Sequence, residues 1–265
     1  MLKRDGALDL AATPEERLLA GQLWDKAVFT EKTGRISATK FMTPAEAAFA
    51  ETLCARAGFQ LTLDGGYEGA ERRVALFLPD GWETIHIFDT PEDPLAVLCA
   101  RPHGDTALSH RDYLGALMGA GIQREAVGDI LVQNGAAYCF CLAELVPYLL
   151  QNLTQAGRER VTTTLVRRAD VPAIEAPAGE PVTATVLSLR LDAVVAAGFG
   201  LSREEAKAAV AAGLCNVNHQ PVLKPERLVQ PGDLFSLKGH GRVRFAETGG
   251  ETRKGRTLIR LLRYR

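Results

Sequence analysis

The sequence contains no run of about eighteen apolar residues, so no stretch of it is read as a membrane-spanning helix. Its start, Met1-Leu2-Lys3-Arg4-Asp5-Gly6, lacks the apolar core of a secretory signal, which predicts a cytoplasmic protein. Only five cysteines occur (Cys54, Cys99, Cys139, Cys141 and Cys215), scattered and odd in number. That predicts reduced thiols and no disulfide frame. Cys139-x-Cys141 puts two sulfurs on one face of a predicted strand. With no second cysteine pair or nearby histidine to complete four ligands, packing is expected there and no metal. Aromatics are scarce at 6%. The stacking pattern by which an RNA-recognition motif holds bases is missing, with Phe140 the one aromatic well placed on its strand. Phosphate loops are missing too: Gly119-x-Gly121 follows a helix instead of opening one after a strand, so it fails as a dinucleotide fingerprint. No cofactor is expected.

What the chain does have is charge, unevenly placed. The totals of 31 Lys+Arg and 32 Asp+Glu give a net −1. From Thr183 to the end, however, 14 cations face 7 acids, leaving +7 there and −8 on residues 1–182. An acidic body joined to a basic end suggests that the basic end faces nucleic acid, because each cation laid on a phosphate releases condensed counterions. With 265 residues, 46% hydrophobic and 24% charged, the chain reads as a globular protein of two or three domains.

The predicted fold class is α+β. Residues 1–78 form a helical to α+β N-terminal region. Helices dominate from Pro14 to Gly58, and Thr43-Pro44-Ala45-Glu46 is a capping box with proline at the first helical position. The glycine-rich Asp64-Gly65-Gly66-Tyr67-Glu68-Gly69-Ala70-Glu71-Arg72-Arg73 reads as a turn or hinge. Residues 79–170 carry predicted strands at Thr84–Phe88, Leu95–Ala100, Asp129–Val132, Ala137–Leu142 and Val161–Val166, with helices at Ser109–Gly119 and Leu142–Asn152. Without the first strand the order is that of a split βαβ unit, as in RNA-recognition-motif folds. Gln133-Asn134-Gly135 marks a hairpin turn. Residues 171–182 are proline-rich and read as a linker, and residues 183–265 form the basic domain. Its tail, Thr252 to Arg265, alternates cations with apolar residues. It reads as a final strand, edge-lying or basic on its polar face, or as an arm that orders on RNA.

Candidate site residues lie mostly in that basic domain. Ser202 is a predicted N-cap with Glu205 closing a capping box, and a helix start is an anion site. Arg203 in the first turn and Lys207 four residues on share one face. Arg190 opens the preceding helix, and Asp192 reads as its orienting partner. The stretch Leu189-Arg190-Leu191-Asp192, then Leu201 to Lys207, then Leu214 to Val222 and Val229 to Leu237 resembles the alpha-L RNA-binding domain. That domain is known from a ribosomal small-subunit protein, pseudouridine synthases and tyrosyl-tRNA synthetases. The resemblance places RNA contacts at Arg190, Ser202, Arg203, Lys207, Asn218, His219, Lys224, Lys238 and Arg242. A second group, His110, Arg111, Asp112 and Tyr113, stands at a helix start after Ser109 and is a candidate RNA or partner contact. His110 would suit acid–base chemistry, but no nucleophile is adjacent.

The blocks Leu108–Val132, Gly65-Gly66-Tyr67 with Ala70-Glu71-Arg72, and Ser188-Leu189-Arg190-Leu191-Asp192 occur in this order in the YlmH-like family of bacterial proteins, which the chain resembles over nearly its full length. The resemblance implies an RNA-binding protein, once linked to cell division by gene neighbourhood, and a monomer is expected. It further implies ribosomal RNA and tRNA as partners on the large ribosomal subunit, in rescue of stalled nascent chains; no catalysis is expected, since no base, nucleophile and phosphate or cofactor loop stand in a workable context. The rival readings are an RNA-modifying enzyme targeted by the alpha-L domain and a cell-division interaction protein. A pseudouridine synthase needs its catalytic Asp in an Arg-Leu-Asp-x-x-Thr-Ser-Gly context. The only Arg-Leu-Asp here, Arg190-Leu191-Asp192, continues Ala193-Val194-Val195 inside the binding domain itself.

Overall fold

The computed structural model describes residues 3–104, 106–173, 179–252 and 255–264. The chain divides into two compact units, Met1–Ala173 and Ile174–Arg265.

In the first unit α1 (Arg4–Leu8) and α2 (Pro14–Thr33) precede β1 (Ser37–Ala38), α3 (Pro44–Ala57), β2 (Thr62–Asp64) and β3 (Val74–Phe77). The α3 capping box forms as its sequence dictates: Thr43 accepts from the Glu46 amide, Glu46 accepts from the Thr43 amide, and Gly58 ends the helix at φ 80. The three short strands make a sheet ordered β1-β3-β2. Then follow β4 (Leu95–Pro102), α4 (His110–Gly119), β5 (Val127–Gln133), β6 (Ala136–Leu142), α5 (Val146–Asn152), β7 (Gln155–Ala156) and β8 (Glu159–Val166). The second sheet runs β5-β6-β4-β8-β7, antiparallel throughout. Its first four strands have the order of the split βαβ sandwich. Asn134 at φ 52 and Gly135 at φ 69 make the β5–β6 turn, the geometry an Asn-Gly hairpin needs.

Both faces of this sheet are covered at its centre. Leu98, Ala100, Ala137, Cys139 and Cys141 face α4 and α5 and share a core with Tyr113, Leu117 and Leu149. Burial pushes the Cys139 and Cys141 thiols up to about 12 each, consistent with packing. Alternate residues Val97, Cys99, Tyr138, Phe140 and Leu142 face the other way, onto Phe41, Val74 and Tyr67. The covering loop is the glycine-rich 64–73 segment, fixed rather than hinged. Asp129 on β5 accepts from the Tyr67 hydroxyl at 2.8 Å, the Glu71 amide at 2.7 Å and the Arg72 amide at 3.3 Å. The Arg72 guanidinium donates to the carbonyls of Phe41 and Val127 at 3.1 Å each. Gly66 lies at φ 93, where a Cβ would stand 2.3 Å from the Phe140 ring, so only glycine lets this loop close. Burial first, then the Asp129 hydrogen bond and charge, raises the Tyr67 phenol well above its ordinary value.

The strand predicted at Thr84–Phe88 is instead a 3-10 turn, Thr84–His86. The Asp93 carboxylate draws the segment back on itself, accepting from the amides of Asp89 (3.1 Å) and Leu95 (3.0 Å). Arg168 bridges Asp93 and Asp64, which joins this turn to the strand ends.

The second unit starts with β9 (Glu180–Val186), then α6 (Leu191–Phe199), α7 (Arg203–Ala211), β10 (Cys215–Val217), β11 (Gln220–Pro221), β12 (Leu234–Leu237), β13 (Gly241–Glu251) and β14 (Thr257–Tyr264). The sheet order is β11-β10-β12-β13-β14-β9. β14 therefore lies inside the sheet, paired on both sides, and is neither an edge strand nor a free arm; its alternating apolar residues Ile259 and Leu261 are core. The linker expected over 171–182 is narrower at both ends. Val171 packs in the first unit, and Glu180 to Val182 pair with Arg263 to Leu261. Residues 174–178 of that linker, and Arg253, Lys254 and Arg265 of the tail, lie outside the described residues.

Asp129→Ala removes one acceptor from three donors. It should lower the unfolding free energy of the first unit by at least about 2 kcal/mol, read by urea denaturation of the full chain with Tyr67 hydroxyl and Glu71 amide exchange as local probes. Unchanged exchange at Glu71 and Arg72 would show that the loop closes without it.

Candidate RNA-binding site

The second unit is built around paired helix starts. Ser202 caps α7, accepting from the Glu205 amide at 3.2 Å while Glu205 accepts from the Ser202 amide at 2.8 Å. Hydrogen bonds from the Ser202 side chain and then from its amide hold the Glu205 carboxyl below its ordinary range, and the start of any helix leaves first-turn amides without partners inside the helix. Arg190 caps α6 and turns its guanidinium back on Asp192, two bonds at 3.2 and 3.0 Å. Arg203, first residue of α7, approaches the same carboxylate at 3.6 Å. The Asp192 side chain is only 3% exposed, whereas Arg190 and Arg203 keep 35% and 50% of theirs. One buried carboxylate thus gathers two half-exposed guanidiniums at the junction of the two helix starts. Burial alone would push the Asp192 carboxyl up; the Arg190 hydrogen bond and the charges of Arg203 and Arg190 outweigh it, and the group lies below its ordinary value.

Lys207 is exposed on α7, one turn after Arg203 and on the same face. A second cluster forms at the β10–β12–β13 side. Lys238 and Arg242 line an open groove of about 470 Å³ with Leu214, Asn216 and Ser236. Between them stands His240, which the sequence pattern did not single out. Its ring lies 6.3 Å from that of Phe199 at the end of α6. The alternation of glycine with cations in Lys238-Gly239-His240-Gly241-Arg242 was the available signal. This turn brings the second cluster towards the helix pair.

Other expected contacts are placed differently. Asn218 holds its own turn at φ 50: its amide donates to Asp233 at 2.7 Å and its carbonyl oxygen accepts from the Leu234 amide at 2.8 Å. His219 follows at φ 66, half-buried in the same turn. Lys224 is exposed on the loop before Arg227. In the first unit, Ser109 and Asp112 close the start of α4 through two bonds of 2.8 and 2.7 Å, which lower the Asp112 carboxyl. His110 and Arg111 are exposed there. Tyr113 is not a surface contact: it is buried under the sheet, because the helix face that carries it also carries Leu117 into the core.

Asp192→Asn keeps the volume and removes the charge. Amide exchange of α6 and α7 in the full chain should speed up at least about tenfold, the loss of about 1.4 kcal/mol. The pH sign follows from the lowered value: the clamp's contribution is present above the unfolded aspartate pKa of about 3.9 and is lost as pH falls through the lower folded value. Exchange that is flat across that window, or unchanged in the variant, would mean the arginines hold their places without it.

Residues 100–169 match the family described as "Putative RNA-binding domain in YlmH", and residues 189–235 match the S4 domain. Among curated proteins, the chain is 31% identical over 252 residues to the ribosome-associated protein quality control protein P2 of Bacillus subtilis strain 168, covering 92% of this chain and 94% of that one. A solved structure, the cell division protein ylmH from Streptococcus pneumoniae, is 18% identical, covers 61% of this chain and 96% of that chain, and superposes with a TM-score of 0.49. On its identity to the Bacillus protein across nearly all of both chains, the protein belongs to the YlmH-type family and carries an S4 domain in its second unit.

Proposed function

We propose that the protein binds RNA on the ribosome through the α6–α7 surface of its S4 domain and acts by occupying that site, without chemistry. The observation that carries the reading is the Asp192 clamp, which holds Arg190 and Arg203 on one carboxylate at the starts of α6 and α7. Two guanidiniums held in place lose little freedom on meeting phosphates, and a helix start adds donors and a positive end. Lys207, Lys238 and Arg242 extend the surface, and His240 joins it. Asp192 is spent on the arginines, so the one Arg-Leu-Asp of the chain does not present a free catalytic carboxylate.

The Bacillus relative is named a ribosome-associated quality control protein. That name and the basic S4 unit support ribosomal RNA as the partner; we further propose tRNA and the large subunit, the clearing of stalled nascent chains, and a cytoplasmic monomer. Among the described residues no helix is long and apolar enough to cross a membrane. The match of residues 100–169 to an RNA-binding description supports a further contact from the first unit. The Phe140 face of its sheet is closed by the 64–73 loop, so that contact belongs on other surfaces, of which the exposed His110 and Arg111 at the start of α4 are the candidates.

Co-sedimentation with purified small and large subunits at low and moderate salt tests the reading. Binding should favour the large subunit and weaken as salt rises. Arg203→Ala and Lys207→Ala should each weaken binding and flatten the log–log salt slope by about one unit. An unaltered slope in the double variant would move the RNA surface away from α7. A new modified nucleotide in RNA incubated with the protein and S-adenosylmethionine would restore an enzyme.

A further inference from the structure

The first unit carries a surface of the opposite character. Between Arg73 and Arg101 the chain has no lysine or arginine, yet Asp80, Glu83, Asp89, Glu92 and Asp93 fall in that interval. All but Asp93 are exposed. Among these acids, Trp82 is 47% and Ile85 69% exposed, and Phe88 also reaches the surface. Large apolar side chains left in water within an acidic rim mark an interaction site more than a solubility surface.

The segment is built to hold that display. Ile87 is fully buried and anchors it. Asp93 ties the Asp89 amide back, and Asp89, at φ 57, accepts from the Arg168 amide at 3.1 Å. The Arg168 guanidinium, itself bridging Asp64 and Asp93, lies 4.4 Å from the Phe88 ring centre. His86 accepts from the Glu83 amide at 2.9 Å and sets its ring edge-on to Trp82. Ile85 lies in the 3-10 turn, and Phe88 follows on the turn that continues it, its amide donating to the Thr84 carbonyl at 3.2 Å. A pinned turn loses little entropy on binding.

From this geometry we infer that the Trp82–Ile85–Phe88 turn docks a lysine- and arginine-rich protein segment carrying apolar side chains. Resting on the ribosomal reading above, the partner is a basic segment of a large-subunit protein lying beside the RNA that the S4 unit holds. Exposed carboxylates repel phosphate and attract such a segment, and isoleucine has no face on which a base stacks. Tryptophan at the centre of a small apolar patch is a common anchor of protein contacts.

The test compares the full chain on intact purified large subunits and on the protein-free ribosomal RNA extracted from them. Trp82→Ser with Ile85→Ser should bind intact subunits about tenfold more weakly and bare RNA unchanged. Asp80→Lys with Glu83→Lys should likewise lose affinity for intact subunits and gain some for bare RNA. Equal loss by the first pair on both targets would assign the turn to RNA or to the fold, and no loss on either would remove the docking site; both outcomes overturn the inference alone. Wild-type protein that binds neither target would overturn the ribosomal reading along with it.

Discussion

The Asp129 carboxylate sets what the first unit can and cannot do. By accepting three donors from the 64–73 loop it draws Tyr67 and Gly66 onto Phe140 and closes the middle of a sheet whose strand order is that of RNA-recognition-motif folds. In such folds an open sheet with aromatic residues holds bases. Here the aromatic is present but spent on packing: Phe140 has no exposed surface and a tilted ring contact with Tyr67 at 4.9 Å. The same topology has become a two-sided core, and the start of α4 and much of the 79–94 segment are among what the unit leaves exposed.

The second unit solves a different problem, that of keeping cations together. Guanidiniums repel one another and are costly to order, so a cluster at one point needs a counter-charge that is itself fixed. Asp192 supplies it from a nearly buried position, and its two arginine partners retain exposed edges. Fully exposed ion pairs contribute little to stability, but this carboxylate is buried, so its pairing also steadies α6 and α7. The further value of the pairing is geometric: the pair of helix starts carries its positive charge in a set arrangement before any RNA arrives.

Charge therefore separates the two units by chemistry. The S4 unit offers half-exposed arginines at two helix starts, while the first unit offers tryptophan and isoleucine on a stretch of chain rich in acids.

Local chemistry alone determined a good deal. The Thr43, Ser109 and Ser202 helix starts, the Asn134-Gly135 hairpin and the strand–helix order from Leu95 to Val166 follow from capping, turn and periodicity rules that act over a few residues. The charge asymmetry and the cluster of Arg190, Ser202 and Arg203 were legible for the same reason, since α6 and α7 follow each other directly. Contacts between distant segments were not legible. The Thr84–Phe88 stretch alternates like a strand, but Asp93 and Arg168 bend it into a turn; only packing decides between those outcomes. Tyr113 sits among exposed residues in sequence and points inward in space, and the basic tail reads as an edge until β9 and β13 pair on either side of it. The closing of the Phe140 face needed Tyr67 and Asp129, 62 residues apart, and His240 joined the helix pair only because a hairpin turn brought it there. Sequence spacing encodes which residues share a helix or a strand; which surface is left open is settled by the long-range contacts that cover the others.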